Sequence, residues 1–416
     1  MNDIELGRRK LDWARSHMPI HSELRRIHGA RHPFAGLVVA VGSHIEAKTG
    51  VFIETLAAAG AEVVFTASVA ATTQDDVVAA LNAQPGITGY ARRGVSAEES
   101  VALHERTVAH KPNLILDDAA ELTALLVHRF PEHVAELLGM CEQTATGVQR
   151  LHAMERQGLI TFPAYAVNDT PMKHDFDNVH GTGESALANL ALATNLLLAG
   201  KRVVVAGFGY CGQGVAQKAK GWGARVTVTE VDPRKALRAH MLGFDVAPMA
   251  QAVRQAEVII TTTGNRDVLR REHFEAMPDG VVLANAGHFH VEIDTGALAE
   301  MAAASREVRP GITEHRLADG RRINVVAGAE LVNLAAPTAM GHPVEVMDQT
   351  FAMQFMAAVH LLEHRASLGA AVYPVPDEVD RQVAQIKLRT LGLRIDTLTD
   401  DQRRYQDSWR SEDIIK

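Results

Sequence analysis

The segment RVVVAGFGYCGQGVAQKAKGWGARVTVTE, residues 202–230, constrains the chain more than any other stretch. An apolar run is followed by Gly207, Gly209 and Gly212 in G-x-G-x-x-G spacing, then an amphipathic run, then a second apolar run that ends in Glu230. That order predicts strand, turn, helix and strand. In such a unit the first glycine permits the tight turn and the second lets a pyrophosphate approach the backbone. The helix N-terminus adds N–H donors and a positive dipole end. Glu230 would accept hydrogen bonds from an adenosine ribose and repel a 2′-phosphate, which favours NAD over NADP. The glycines alone fit any tight βα turn; the strand before them and the acid after them set this one apart.

Composition narrows what such a site serves. At 416 residues, 47% hydrophobic and 22% charged, the chain is long enough for two ordinary domains. A net charge of -8 with no Lys/Arg-rich block argues against nucleic acid or an anionic membrane as the main partner and leaves a small-molecule substrate. Cys141 and Cys211 are too few for a disulfide framework or a structural zinc site. No metal site is read, and a reducing cytoplasm fits. The N-terminal MNDIELGRRKLDWARSHMP has no apolar core of a signal peptide, and no stretch approaches the roughly 18 apolar residues of a membrane span.

Elsewhere, short apolar runs alternate with longer amphipathic ones, the pattern of parallel sheets covered by helices. Leu37–Val41 reads as a buried strand, residues 49–59 as a helix, and AEVVFTAS as a second strand. NLIL runs into Asp117 and Asp118, which places two carboxylates at the carboxyl end of a strand, where open α/β sheets keep their ligands. A long helix is expected over 185–199, ended by Gly200.

Several ordered motifs then point one way. ATTQDD (71–76), LILDD (114–118), TGV (146–148), VND with KHDFDN (167–178), the glycine loop, NAGHF (285–289), LVNLA and MGHP (331–343) together resemble the S-adenosylhomocysteine hydrolase family, with HIEAKT and GTGES most like its archaeal and thermophile branch. The resemblance spans nearly the whole chain. It implies two Rossmann-like α/β domains around a cleft, the NAD domain (182–340) inserted in a substrate domain (1–181 and 341–364). A C-terminal helical dimerisation arm (365–416) and assembly as a homo-oligomer, a dimer of dimers, complete the expectation.

The same resemblance implies the chemistry. NAD is tightly bound and recycled: it oxidises the ribose 3′-OH, the neighbouring C4′–H becomes acidic, the 5′ substituent is eliminated, water adds, and the hydride returns. Lys173 and Asp177 match the pair that handles the 3′-OH, His44 the acid/base at the 5′ side, Asp118 the acid near C4′, and His288 a histidine facing nicotinamide and ribose. His342 matches the residue that closes over the base, and Thr144, Thr146, Asn178, Asn265 and Asn333 match cofactor contacts. Glu46, Lys48 and Thr49 fall near the purine edge, where Lys48 either meets a carbonyl acceptor or pairs with Glu46. Without the resemblance the residues have ordinary readings: Lys173 and Asp177 as a solvated i,i+4 pair, Asp117–Asp118 as a helix cap, and two histidines among 20.

Departures from the family pattern concentrate near the sugar. DDAAE (117–121) stands where the family reads DDGGD, and EQTATG (142–147) where it reads EETTTG, so Gln143, by the resemblance a substrate-binding position, replaces a carboxylate that in the family binds the sugar hydroxyl side. An amide donates and accepts hydrogen bonds but takes up no proton. These changes tilt the expectation toward a nucleoside-tailoring 4′,5′-dehydratase of the angustmycin type, against a hydrolase of S-adenosylhomocysteine or its inosine analogue. A regulatory NAD-binding pseudoenzyme and a plain dehydrogenase complete the alternatives.

Overall fold

The computed structural model describes residues 2–409. Two sheets carry it. The first contains β1 (Val38–Ser43), β2 (Glu62–Ala67), β3 (Ile87–Tyr90), β4 (Leu114–Asp117), β5 (Gly139–Glu142) and β6 (Pro163–Ala166). The second contains β7 (Arg202–Ala206), β8 (Arg225–Thr229), β9 (Asp245–Val246), β10 (Val258–Thr261), β11 (Val281–Asn285), β12 (Ala302–Arg309), β13 (Ile312–Leu317) and β14 (Arg322–Val326). The chain then returns to the first sheet as β15 (Ala371–Pro374), parallel to β6.

The first sheet runs β15-β6-β5-β4-β1-β2-β3 and is parallel throughout. The second runs β12-β13-β14-β11-β10-β7-β8-β9, antiparallel only at the β12-β13-β14 end. Both are covered on two faces, which is why their strands read as unbroken apolar runs. Val39 and Val41 enter one core while Ala40 enters the opposite one. Val203 and Val205 likewise oppose Val204, and Ile260 opposes Ile259. Each such Val or Ile side chain, fully withdrawn from water, contributes about 1.5–3 kcal/mol.

Strand order decides where a ligand can sit. It reverses between β4 and β1 in the first sheet and between β10 and β7 in the second, and the crevice of a doubly wound sheet opens at such a reversal. The loops leaving β1, β4, β7 and β10 carry His44, Asp118, the glycine turn and Thr262–Gly264.

Two boundaries differ from the sequence reading. The helix expected over 185–199 runs Thr182–Thr194, stopped by Asn195 in the left-handed region at φ 56°. The stretch after residue 365 is not all outlying: β15 pairs with β6, and helix Asp377–Thr390 buries Val379, Val383 and Ile386 in the first core. Between Leu391 and Trp409 the large apolar side chains, Leu391, Leu393, Ile395 and Trp409 among them, are exposed.

Candidate active site

A cavity between the two sheets is lined by His44, Glu46, Thr49, Asp118, Gln143, Thr144, Thr146, Lys173, Asp177, Asn178, His288, Asn333 and His342. Thirteen residues singled out from sequence thus meet on one surface. Lys48, Gly207, Gly209, Gly212, Glu230 and Asn265 lie outside that lining.

The KHDFDN motif owes its geometry to an unusual helix. Residues His174–Gly181 wind as a π-helix, whose i→i+5 repeat turns Lys173, Asp177 and Asn178 to one side. Lys173 Nζ donates to Asn178 Oδ1 at 2.5 Å and stands 3.6 Å from Asp177 Oδ2. Asp177 also accepts from Thr350 Oγ1 and faces His342 Nδ1 at 2.6 Å. Burial alone would raise the Asp177 carboxyl, yet the Lys173 charge, His342 and the Thr350 hydroxyl together hold it well below the usual carboxylate range. The pair is buried, so the solvated i,i+4 reading does not hold.

In the same lining, Asp118 Oδ2 is 3.7 Å from His44 Nε2, and its Oδ1 is 3.6 Å from His288 Nδ1. Thr72 Oγ1 spends its hydrogen on the Val69 carbonyl and so accepts from His44 Nδ1. That assignment fixes the tautomer and leaves His44 Nε2 for the site. Burial lowers the His44 imidazole, with Asp118 opposing. Burial also brings His288 down to about 4, Asp118 opposing and His44, Arg150 and Lys173 adding to the fall. Both rings are therefore neutral near pH 7. The three donor groups lie within 4.8 Å of one another, a spacing that a divalent cation can also bridge.

Buried carboxylates support this wall from behind. Asp117 accepts from the Thr123 N–H and hydroxyl, and Glu142 accepts from the N–H groups of Ala119, Ala120 and Thr144. Burial raises both acids, and for Glu142 the charges of Asp117 and Asp118 add to it. Asp117 is thus a brace for the loop after β4, while Asp118 is the carboxylate that reaches the cavity. Ala119 and Ala120 occupy the left-handed region at φ 79° and 56° to deliver their N–H groups, a conformation that L side chains resist.

The glycine turn fits a dinucleotide. Gly207 holds φ 94°, and a Cβ on Gly212 would lie 2.0 Å from the Gly207 carbonyl oxygen, so the fold itself demands both. A Cβ on Gly209 would meet no protein atom within 4 Å. The turn therefore leaves a bare cradle before helix Tyr210–Gly221, where a pyrophosphate would approach. Glu230 accepts from the N–H groups of Phe208, Val231 and Asp232, which secures the turn and leaves lone pairs for a ribose. Asn333 Oδ1 is buried in the cavity wall without a partner, as an acceptor for a carboxamide would be.

Lys48 spends its ammonium on Glu46 Oε2 at 2.9 Å and on the Met340 carbonyl at 2.7 Å. Of its two sequence readings this is the pairing with Glu46. Asn265 is exposed, its side chain accepting from the Arg266 N–H.

Three supporting residues escaped the sequence reading. Thr72 orients His44, Thr350 bonds Asp177, and Glu292 braces Thr263 and Gly264 through their N–H groups. Thr350 did leave a signal: Asp348, Gln349, Thr350 and Gln354 interrupt an otherwise apolar helix, Val344–Glu363, and all four are buried.

Residues 178–339 match the model for the S-adenosyl-L-homocysteine hydrolase NAD binding domain, and residues 1–130 match the model for S-adenosyl-L-homocysteine hydrolase. The chain is 52% identical over 406 residues to an adenosylhomocysteinase of Halobacterium salinarum, covering 98% of this chain and 95% of the relative. It is 46% identical over 404 residues to an S-inosyl-L-homocysteine hydrolase of Methanopyrus kandleri, covering 97% and 95%. Among solved structures, a dipicolinate synthase from Bacillus halodurans shares the fold alone, with a TM-score of 0.50 at 14% identity over 79% of this chain and 99% of that one. The chain belongs to the S-adenosyl-L-homocysteine hydrolase family and is an NAD-dependent enzyme.

Proposed function

We propose that the chain cleaves the thioether of a purine nucleoside joined at its 5′ carbon to homocysteine. The observation that carries this reading is the convergence of Lys173–Asp177–His342 and His44–Asp118–His288 on one cavity. Near-full-length identity to an adenosylhomocysteinase and to an S-inosyl-L-homocysteine hydrolase supports the substrate class.

Bound NAD supplies reversible hydride removal at C3′, which makes the neighbouring C4′–H acidic. Lys173 and Asp177 hold the 3′-oxygen and take its proton, a task suited to a buried cation–carboxylate pair 3.6 Å apart. Asp118, flanked by two neutral imidazoles, accepts the C4′ proton. His44, its Nδ1 committed to Thr72, offers Nε2 for proton transfer at the 5′ substituent. His342 and the 331–343 segment cover the ligand, which keeps water from the unsaturated intermediate until it is needed.

A second reading, a 4′,5′-dehydratase that expels a 5′-hydroxyl and never readmits water, rests on Gln143. Its amide bonds Asp118 where the family pattern has a carboxylate. One experiment separates the two: mass spectrometry after incubation of NAD-loaded enzyme with S-adenosylhomocysteine, S-inosylhomocysteine and 5′-hydroxyl purine nucleosides. Homocysteine release supports the hydrolase. Loss of one water from a nucleoside, with the thioethers untouched, replaces it with the dehydratase.

A further inference from the structure

Gln143 has a setting that the reaction above does not use. It directly follows β5 and Asp118 directly follows β4; these strands pair in parallel with Asp117 opposite Glu142, so the two side chains leave the sheet edge side by side. Gln143 Nε2 donates to Asp118 Oδ2 at 2.9 Å and lies 3.4 Å from Ser43 Oγ. The carboxylate fixes which end of the amide faces it, since only the nitrogen can donate. Gln143 Oε1 and Asp118 Oδ1 are then left buried without a hydrogen bond, on residues only 4% and 3% exposed that line the cavity, with His288 Nδ1 3.6 Å from Asp118 Oδ1.

We propose that Gln143 is a positioning residue: its N–H pins one oxygen of Asp118 so that the other faces the reacting carbon. The inference rests on the nucleoside reading above, whichever group leaves. In the step it serves, the C4′–H bond breaks, an O–H bond forms on Asp118 Oδ1, and the electron pair passes into the adjacent 3′-carbonyl as an enolate.

The surroundings explain why an amide suits this position. Behind it lie Asp117 and Glu142; His44 and His288 flank Asp118; Arg150 and Lys173 act from further off, and Ser43 closes the remaining side. A glutamate at 143 would set a second carboxylate against Asp118 with no cation between them, and the two would share a proton. Glutamine makes the same contact and competes for none.

The test follows C4′ hydrogen exchange in deuterated solvent, by mass spectrometry, for the NAD-loaded full chain with adenosine and inosine as probes, across pH. Reduction of the bound cofactor is recorded in the same samples. Gln143→Glu is expected to retain cofactor reduction while the acidic limb of exchange moves up by about one pH unit. Gln143→Leu is expected to slow exchange about tenfold, with the limb in place. Exchange in both variants with the wild-type rate and pH profile overturns the proposal. Wild-type enzyme whose cofactor neither nucleoside reduces overturns the nucleoside reading itself, a distinct result.

Discussion

His342 Nδ1 lies 2.6 Å from Asp177 Oδ1, joining the segment that leaves the second sheet to the π-helix that leads into it. In the proposed reaction the contact ties the segment over the ligand to the carboxylate assigned to the 3′-oxygen. A charge-assisted hydrogen bond of this kind contributes about 1.5–3 kcal/mol, so His342→Ala is expected to lower kcat/KM by roughly 10–100-fold. Its side chain is largely buried against buried Asp177, so the melting temperature should fall as well. Steady-state kinetics beside a thermal scan checks this; unchanged kcat/KM would make the contact structural only.

Lys173 and Asp177 separate stability from chemistry. Lys173→Met leaves Asp177 buried without its ammonium partner and is expected to cost about 3 kcal/mol, the low end for a broken buried pair because His342 remains. Adding Asp177→Asn removes the stranded charge and should restore much of that stability. Neither variant should let a nucleoside reduce the bound cofactor. Urea unfolding and cofactor absorbance give the two readouts, and a single variant as stable as wild type would count against the pairing.

The sheets were legible because strands buried on both faces show as VVVA, VIIT and VVLAN, and the dinucleotide turn because glycine spacing is a backbone requirement. The candidate site was legible only through ordered motifs, since nothing local to KHDFDN says that it winds as a π-helix and buries an ion pair. Residues that act through one hydrogen bond, Thr72 and Glu292, carry no spacing of their own. The return of β15 to the first sheet was hidden for a similar reason: AVYP is four residues long, and its partner β6 lies some two hundred residues earlier.

Ala119 and Ala120 adopt the left-handed conformation that glycine takes without strain. Ala119→Gly and Ala120→Gly are therefore each expected to stabilise the fold, by at most about 1 kcal/mol, because relief of the native strain outweighs the added freedom of the unfolded chain. Chemical denaturation of each variant measures it, and a loss of stability would show that the methyl groups' packing matters more.

Gly209 and Gly212 should fail in different ways. A Cβ on Gly212 has no room beside the Gly207 carbonyl, so Gly212→Ala should lower stability and cofactor content together. Gly209→Ala meets no protein atom and should leave the melting temperature of the cofactor-free protein unchanged while weakening NAD binding about tenfold or more. Calorimetric titration beside thermal scans of stripped protein tests the contrast; NAD affinity untouched in Gly209→Ala would place the pyrophosphate elsewhere.

His288 makes an acid-side prediction whose sign follows from its environment. Burial lowers it from 6.5 to about 4, so between those values the unfolded chain binds a proton that the folded chain refuses, and stability falls as pH falls through that window. His44 is shifted in the same direction. Asp117 and Glu142, raised by burial, work in the opposite direction over part of the range, because there the folded chain holds the extra proton. The contribution of His288 is therefore read as the difference between wild type and His288→Asn. The variant should be less sensitive to acid by a few kcal/mol, about 1.4 kcal/mol for each unit of the shift, with the difference vanishing above about pH 7. Urea unfolding of both proteins at half-unit steps measures that difference, and parallel curves from neutral pH down to about 4 would mean that the His288 ring is solvated in the folded protein.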